Sequence, residues 1–173
     1  MSLTCELDPV IDAELTDGLL ELWTDVSNEG GAVSFVPPVT PEDVRPELEC
    51  SLAAVGTGQQ RLLVGRDEDG RIAASAFLAY NSHRLKTHWL RLHAVMVHPA
   101  HQGRGCGRTL MAAVEQAARG FHGIEAIRLV CRGGTGAELF YGRCGYKEVG
   151  RVPSAIRVAP GDDRDDVIML LTL

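Results

Sequence analysis

Residues 95–109 read V-M-V-H-P-A-H-Q-G-R-G-C-G-R-T, and this stretch decides the fold. The residues that lead into it, 89–97, are mostly apolar and end at His98-Pro99, which predicts a strand that stops at the proline. A loop with three alternate glycines follows. Downstream, apolar residues recur at spacings of three and four, which predicts an amphipathic helix with the apolar face Leu110, Met111, Val114, Ala117, Ala118 and Phe121.

A strand, a glycine loop and a helix N-terminus in this order suit a phosphate-bearing ligand. Glycines allow backbone N–H groups to turn toward the ligand because no Cβ stands in the way. The first N–H groups of a helix have no partner inside it, and the helix dipole favours an anion there. Because each charge so placed gains only roughly 0.3–1 kcal/mol, a pyrophosphate also needs cations. Arg104 and Arg108 can supply them.

Two familiar phosphate motifs fit this loop poorly. A P-loop requires G-x-x-x-x-G-K-[ST], but Gln102 stands at the first glycine position and Arg108 replaces the lysine. A dinucleotide-binding loop requires G-x-G-x-x-G, but Arg108 stands at its third glycine, where a side chain would push the helix away from the sheet. Coenzyme A is the third candidate ligand.

Two motifs resemble those of the GNAT N-acetyltransferase superfamily. Residues 102–107, Q-G-R-G-C-G, match its Q/R-x-x-G-x-G/A signature, and Val97-His98-Pro99 matches the V-x-P that commonly precedes it. Residues 137–146, A-E-L-F-Y-G-R-C-G-Y, look like its A-x-x-F-Y-x-x-x-G-F/Y segment at about the usual distance. The resemblance covers the C-terminal half well and the N-terminal half in layout. From Arg104 to Pro153, the chain also loosely resembles members that acetylate small antibiotics and related amines.

The resemblance implies an α/β fold with a mixed, mostly antiparallel central sheet, helices on both faces, and a bulged strand that splays from its neighbour. It also implies acetyl-CoA as the cosubstrate. Backbone groups of Val95, Met96 and Val97 would bind the pantetheine arm like a short extra strand, and donors there would polarise the thioester carbonyl. The glycine loop and helix N-terminus would bind the cofactor through Gln102, Gly103, Arg104, Gly105, Cys106, Gly107 and Arg108.

Acetyl transfer to an amine requires two proton movements. A lysine-like amine has a pKa of ~10.4, so about one molecule in 10³ is neutral at pH 7, and a base or water chain must remove its proton. Tyr141 matches the family tyrosine that hydrogen-bonds the CoA sulfur and acts as general acid; a merely packed aromatic is the alternative. Residues 90–94, L-R-L-H-A, lack the glutamate that some members use as base. His93 is the candidate base there, and a structural histidine is the alternative.

The resemblance favours an N-acetyltransferase that acts on the primary amine of a small molecule by direct attack in a ternary complex. A protein N-terminus or lysine is an alternative acceptor. Gly134 stands where many members have an asparagine that contacts pantetheine, and the expected carboxylate is missing. These two departures motivate a non-catalytic CoA-binding module as a second alternative, and a nucleotide-binding protein is a third. Homodimers are common in the family, so a homodimer is a candidate assembly, although no sequence feature identifies an interface.

Composition limits the classes of partner. The chain has 173 residues, which suits a single acyltransferase domain over residues 1–173. Its formal net charge of −6 argues against a broad nucleic-acid or anionic-membrane surface. We expect no membrane span, no signal peptide and no metal site, because long apolar runs and clustered His and Cys ligands are missing. Five cysteines without a C-x-x-C pair predict free thiols in a reducing cytoplasm.

Apolar spacing and turn-forming residues in the rest of the chain predict further strands, helices and loops around the glycine loop. The segment 32–39 is a predicted loop in which Phe35 either packs in the core or covers the acceptor pocket. The charge run 162–166 is predicted to be a solvated turn. The predicted elements are strands at 3–10, 61–65, 72–80, 87–97, 127–131, 146–152 and 166–173, and helices at 11–27, from Thr40 onward with Pro46 in its early turns, and at 137–143.

Overall fold

A computed structural model describes residues 3–173 of the protein. The strands within these residues are β1 (Thr4–Leu7), β2 (Gln60–Arg66), β3 (Ile72–Tyr80), β4 (Trp89–Val97), β5 (Ala126–Arg132), β6 (Lys147–Ala159) and β7 (Asp162–Thr172). The helices are α1 (Ala13–Asn28), α2 (Pro41–Gly56), α3 (Cys106–Arg119) and α4 (Ala137–Arg143), and a 3₁₀ turn spans Pro99–His101.

The strands form one mixed sheet in the order β1-β2-β3-β4-β5-β7-β6. Adjacent strands run antiparallel except β4 and β5, which run parallel. β4 and β5 pair only from Trp89–Ala126 to Leu92–Leu129, whereas β4 stays paired with β3 as far as Val97–Ala74. The last part of β4 therefore leaves β5, and the predicted mostly antiparallel sheet with a splayed strand is confirmed.

A bulge in β4 lies at the point where the two strands separate. Ser75 pairs with Met96 and Phe77 pairs with His93, so two steps along β3 correspond to three steps along β4. Ala94, between them, has a φ of 46°, in the region that residues with a Cβ rarely adopt. An extra residue of this kind bends a strand and turns its backbone groups away from the ladder.

Helices cover both faces of the sheet, as predicted. On one face, α1 and α2 bury an apolar cluster that includes Trp23, Phe77 and Met96. On the other face, α3 and α4 pack on a second cluster that includes Leu110, Leu129 and Tyr146. The sheet thus separates two cores, and β4 contributes side chains to both.

The N-terminal helices begin at capping residues. Asp12 accepts a hydrogen bond from the Leu15 N–H at 2.8 Å, so α1 begins at Ala13, two residues later than its apolar spacing predicts. At the start of α2, the Thr40 N–H donates to the Asp43 carboxylate at 2.9 Å. Pro46 lies inside α2, which continues through it to Gly56.

None of the described helices is long and apolar enough to cross a membrane.

The prediction of a solvated turn at residues 162–166 is wrong. These residues begin β7, and the turn lies at residues 160–161. The carboxylates pair with arginines of the hairpin: Arg157 Nε donates to Asp163 at 2.7 Å and Arg151 Nη1 donates to Asp165 at 2.9 Å. Because cross-strand partners neutralise these charges, β6 extends to Ala159, seven residues beyond the predicted strand.

We expect Leu110→Ala to destabilise the fold by about 2–5 kcal/mol, because this fully buried side chain of α3 leaves a cavity against the sheet. Leu85→Ala is the matched control, since its side chain is 70% exposed and its loss should change stability by less than about 0.5 kcal/mol. Urea unfolding of both variants measures the free energies. Equal losses in the two variants would contradict the assignment of Leu110 to the core.

Candidate active site

The glycine loop bends so that its backbone is open to a ligand. Gly103 and Gly105 have φ values of 71° and 86°, and a Cβ built on either would meet no atom within 4 Å. Gly105 is the residue before α3, so the helix begins with the N–H groups of Cys106, Gly107 and Arg108. These groups have no carbonyl partner within the helix and suit an anion. The loop therefore fits the pyrophosphate of a CoA ligand.

Gly107 sets how closely the loop approaches α4. A Cβ at this position would lie 3.1 Å from Cζ and 3.2 Å from Cε2 of Phe140. Such distances are shorter than ordinary van der Waals contact, so any side chain at position 107 would displace the phenyl ring. The absence of a Cβ brings the N-terminus of α3 against the helix that carries Tyr141.

Side chains at both ends of the 3₁₀ turn hold the loop in place. The Gln102 side-chain amide donates to the Val97 carbonyl at 2.9 Å, which ties the loop back to the end of β4. The His98 Nδ1 atom accepts from the Ala100 N–H at 3.2 Å, so Nε2 carries the proton in the neutral ring. That Nε2 atom lies 3.3 Å from the Asp25 carboxylate on α1. The loop is therefore anchored to both β4 and α1.

The end of β4 presents backbone groups toward the gap beside β5. Beyond Leu92 no β5 residue pairs with β4, so the β5-facing edge of residues 93–97 has no partner among the described strands. Val95 and Val97 pack their side chains on the α3 side, and Met96 is buried on the α1 side. What remains for a ligand is the main chain, which is the arrangement that an extended, amide-bearing pantetheine arm fits.

Tyr141 lies on α4 beside two other aromatic rings. Its ring centroid is 5.2 Å from that of Phe140 and 5.9 Å from that of Tyr146. Burial raises the pKa of the Tyr141 phenol, and the nearby Cys131 and Cys144 thiols raise it further. The phenol is therefore protonated at neutral pH and can donate a hydrogen bond.

His93 lies just before the bulge on the opposite face of the sheet from Tyr141. Its ring stacks on Phe77 at a centroid distance of 5.5 Å, and Nε2 lies 3.0 Å from the Gln60 side-chain oxygen. Burial lowers its pKa to about 4, and the positive charge of Arg91 contributes to that shift. With Nε2–H donating to Gln60, the neutral ring leaves Nδ1 as the acceptor.

The loop after β5 departs from the family pattern. Gly134 has a φ of 75°, and a Cβ there would lie 3.2 Å from the Arg164 Nη1 atom. Its N–H donates to the Glu138 carboxylate at 2.9 Å, which lowers the pKa of that carboxyl. The guanidinium of Arg164 therefore lies next to the position where many members have an asparagine side chain.

The structure brings most of the predicted site residues to one place. The glycine loop, the end of β4 and the helix of Tyr141 adjoin each other through the Gly107–Phe140 contact. The sequence does not indicate the roles of Ala94 and Asp25, because bulges and contacts between elements leave no local pattern. Phe140 belongs to the quoted motif, but its contact with Gly107 could not be predicted. In the described part of the chain, no three His, Cys, Asp or Glu side chains form a group that could hold a metal ion.

Comparisons with known proteins agree with this geometry. A sequence model of the acetyltransferase (GNAT) family matches residues 18–146, about three quarters of the chain. The fold is also similar to that of yncA, a putative acetyltransferase from Salmonella typhimurium whose structure contains acetyl-CoA. The TM-score is 0.75 at 20% identity, and the alignment covers 100% of this chain and 95% of the other.

Two further solved structures have the same fold. A ribosomal-protein-alanine N-acetyltransferase from Brucella melitensis matches with a TM-score of 0.76 at 22% identity, covering 97% of this chain and 99% of the other. A chimera of the spermidine N-acetyltransferase SpeG from Vibrio cholerae matches with a TM-score of 0.74 at 15% identity, covering 97% and 95%. The extent of the family match shows that the chain belongs to the GNAT family and is an acetyl-CoA-dependent N-acetyltransferase.

Proposed function

We propose that the protein, as a single acyltransferase domain over residues 1–173, transfers an acetyl group from acetyl-CoA to the primary amine of a small molecule. The observation that carries the proposal is the gap between β4 and β5 beyond the Leu92–Leu129 pair. Tyr141 packs on the α3 face of the sheet, His93 packs on the opposite face, and the glycine loop follows the end of β4. This arrangement suits direct attack in a ternary complex.

The chain's own groups account for cofactor binding. Backbone N–H groups of residues 103–108 and the charges of Arg104 and Arg108 would hold the pyrophosphate. Backbone groups of Val95, Met96 and Val97 would hold the pantetheine arm, and a donor among them would stabilise negative charge on the carbonyl oxygen. When bound, acetyl-CoA supplies the acetyl group as a thioester. Gln102 contributes by fixing the loop to the Val97 carbonyl.

Tyr141 would act as the general acid. The raised pKa of its phenol keeps the proton in place at neutral pH, so the hydroxyl can donate to the sulfur as the carbon–sulfur bond breaks. Its hydroxyl makes no hydrogen bond to any of residues 3–173, so the donor is available for a ligand. A CoA thiolate, with a pKa of about 8.5 like that of cysteine, leaves more readily when it receives such a bond.

His93 would accept the proton of the amine at Nδ1. Its pKa of about 4 means that the protonated ring is short-lived at pH 7, so the ring would relay the proton to solvent rather than store it. The stacking on Phe77 and the bond to Gln60 hold the ring at the edge of the gap. A relay of this kind replaces the glutamate that some members carry.

The fold alone does not select the acceptor, since relatives of this fold act on a ribosomal protein and on spermidine. Support for a small acceptor comes from the segment between α1 and α2. Phe35 packs edge-on against Trp23 at 6.2 Å, and the Asn28 side chain bonds both the N–H and the carbonyl of Val39. This anchored segment would enclose the His93 side of the gap.

Five unpaired cysteines support the cytoplasmic location, and the homodimer stays a prediction.

The first experiment is calorimetric titration with acetyl-CoA, with ATP and NAD as controls. We expect micromolar binding of acetyl-CoA alone, and we expect Gly107→Ala to weaken it about ten-fold or more, because the new methyl group overpacks Phe140 by an amount typically worth ~1–3 kcal/mol. Gly142→Ala on α4 is the matched control, since a Cβ there meets no atom within 4 Å. Failure of acetyl-CoA to bind would overturn the proposed cofactor site.

Tyr141→Phe should lower kcat by roughly 100-fold or more, the typical contribution of a general acid, and change the acetyl-CoA Kd little. Tyr146→Phe is the control. The buried hydroxyl of Tyr146 has no hydrogen-bond partner among residues 3–173, so its loss should leave kcat unchanged. Steady-state release of the CoA thiol measures kcat in each case. Unchanged turnover in Tyr141→Phe would remove this residue from the mechanism.

His93→Gln should lower kcat about 10- to 100-fold at pH 7, since water replaces the relay only in part. His83→Gln, in an exposed loop, is the control.

His93→Gln also tests the pKa of His93. The unfolded histidine binds a proton near pH 6.5, whereas the folded one does so only near pH 4. His93 therefore costs stability as the pH falls from about 6.5 to 4, and His93→Gln should flatten that part of the stability profile. An unchanged slope would contradict the neutral ring.

A further inference from the structure

Two arginines stand side by side on the sheet next to His93. Arg91 on β4 and Arg128 on β5 are partners in the parallel register. Residues two apart on a strand share a face, so Arg91 lies on the same face as His93, one pleat repeat before the bulge. Arg91 is exposed and Arg128 is half-buried. Both guanidinium groups thus belong to the face from which an amine would approach His93.

Among residues 3–173, no acidic side chain forms an ion pair with either arginine. In the sheet register, Arg91 pairs with Ala79 on β3 and Arg128 pairs with Leu170 on β7. Leu170 in turn pairs with Lys147 on β6, so this row of the sheet contains no acidic residue. Neither arginine makes an ion pair within the part of the chain that the structure describes. Like charges directly opposite each other on adjacent strands are destabilising. In a chain whose 23 acidic residues outnumber its 17 basic ones, this pair presents two positive charges to an anionic ligand beside the site.

The Arg128 side chain is held in place by Trp89, and the charge of Arg91 acts on His93. The Arg128 guanidinium lies over the Trp89 ring, 5.4 Å from its centroid, which fixes the side chain by a cation–π contact. The charge of Arg91 reaches the His93 ring, where it disfavours protonation. An anion bound at Arg91 would weaken that field at the position where the amine proton is removed.

We infer that Arg91 and Arg128 bind a carboxylate of the acceptor, so that the substrate class is an amine that carries a carboxylate, as amino acids do. The inference rests on the proposed acetyl transfer at the adjacent gap. One pleat repeat, about 6.6 Å, separates Arg91 from His93 along the strand, a span that an amino acid can bridge with its amine and its carboxylate. Guanidinium groups are the donors that pair best with carboxylates.

The same charges disfavour other acceptors. A polyamine would bring a second positive charge against two arginines, and a peptide N-terminus has a neutral amide where an amino acid has its carboxylate. The carboxylate requirement therefore separates free amino acids from both the polyamine and the protein alternatives.

The test measures binding directly and does not depend on turnover. Calorimetry on the protein saturated with CoA compares alanine, leucine, methionine, phenylalanine and glutamine with their carboxamides. At least one acid should bind about ten-fold or more tightly than its amide, because the amide loses charge-assisted hydrogen bonds. Arg91→Gln and Arg128→Gln should each remove that preference and leave acetyl-CoA binding unchanged. Arg119→Gln on α3, which packs on the opposite face, is the control that also removes one positive charge.

The outcomes separate this inference from the proposed function. If every amide binds as well as its acid, or if no acid binds, the carboxylate site is overturned even when other amines are acetylated. If an acid binds through both arginines but neither it nor any other small amine is acetylated in the presence of acetyl-CoA, the carboxylate site stands and the proposed small-molecule transfer fails. Retained acetyl-CoA binding in Arg91→Gln and Arg128→Gln shows that these variants are folded.

Discussion

The bulge at Ala94 is the constraint on which the site depends. A parallel pair of strands would normally continue its ladder, since unpaired backbone groups inside a sheet are costly. Here one extra residue ends the pairing of β4 and β5 after four residue pairs, while β4 stays bonded to β3 on its other side. The result is an exposed backbone edge in the middle of a seven-stranded sheet, flanked by two separate apolar cores.

Rigid packing on both faces keeps this gap open. Leu90 and Leu92 before the bulge, and Val95 and Val97 after it, all contribute to the α3 side, so the side chains change phase at the bulge without leaving the cores. Met96 and Ala94 contribute to the α1 side. Since closing the gap would shift every side chain of the last part of β4 to the wrong face, the packing opposes closure.

Much of the fold could be predicted from local patterns. The bounds of α4 at residues 137–143 and the strand that ends before His98-Pro99 follow from motifs and apolar spacing, and the structure agrees. The bulge position could not be located, because Ala94 is an ordinary residue whose unusual φ arises from pairing with β3. The full length of β6 cannot be predicted for a similar reason: its arginines pair with carboxylates on β7, which lie outside any local stretch of sequence.

The contact between Gly107 and Phe140 links two segments that are 33 positions apart in the chain. One segment carries the anion-binding loop and the other carries Tyr141, so substitutions at the contact positions of the two segments depend on each other. A larger side chain at position 107 is tolerated only if the side chain at position 140 becomes smaller. A smaller side chain at 140 with glycine kept at 107 would leave a void beside the start of α3. Among homologues, the two positions should therefore covary, and the distance between cofactor loop and phenol should be preserved as their substrates diverge.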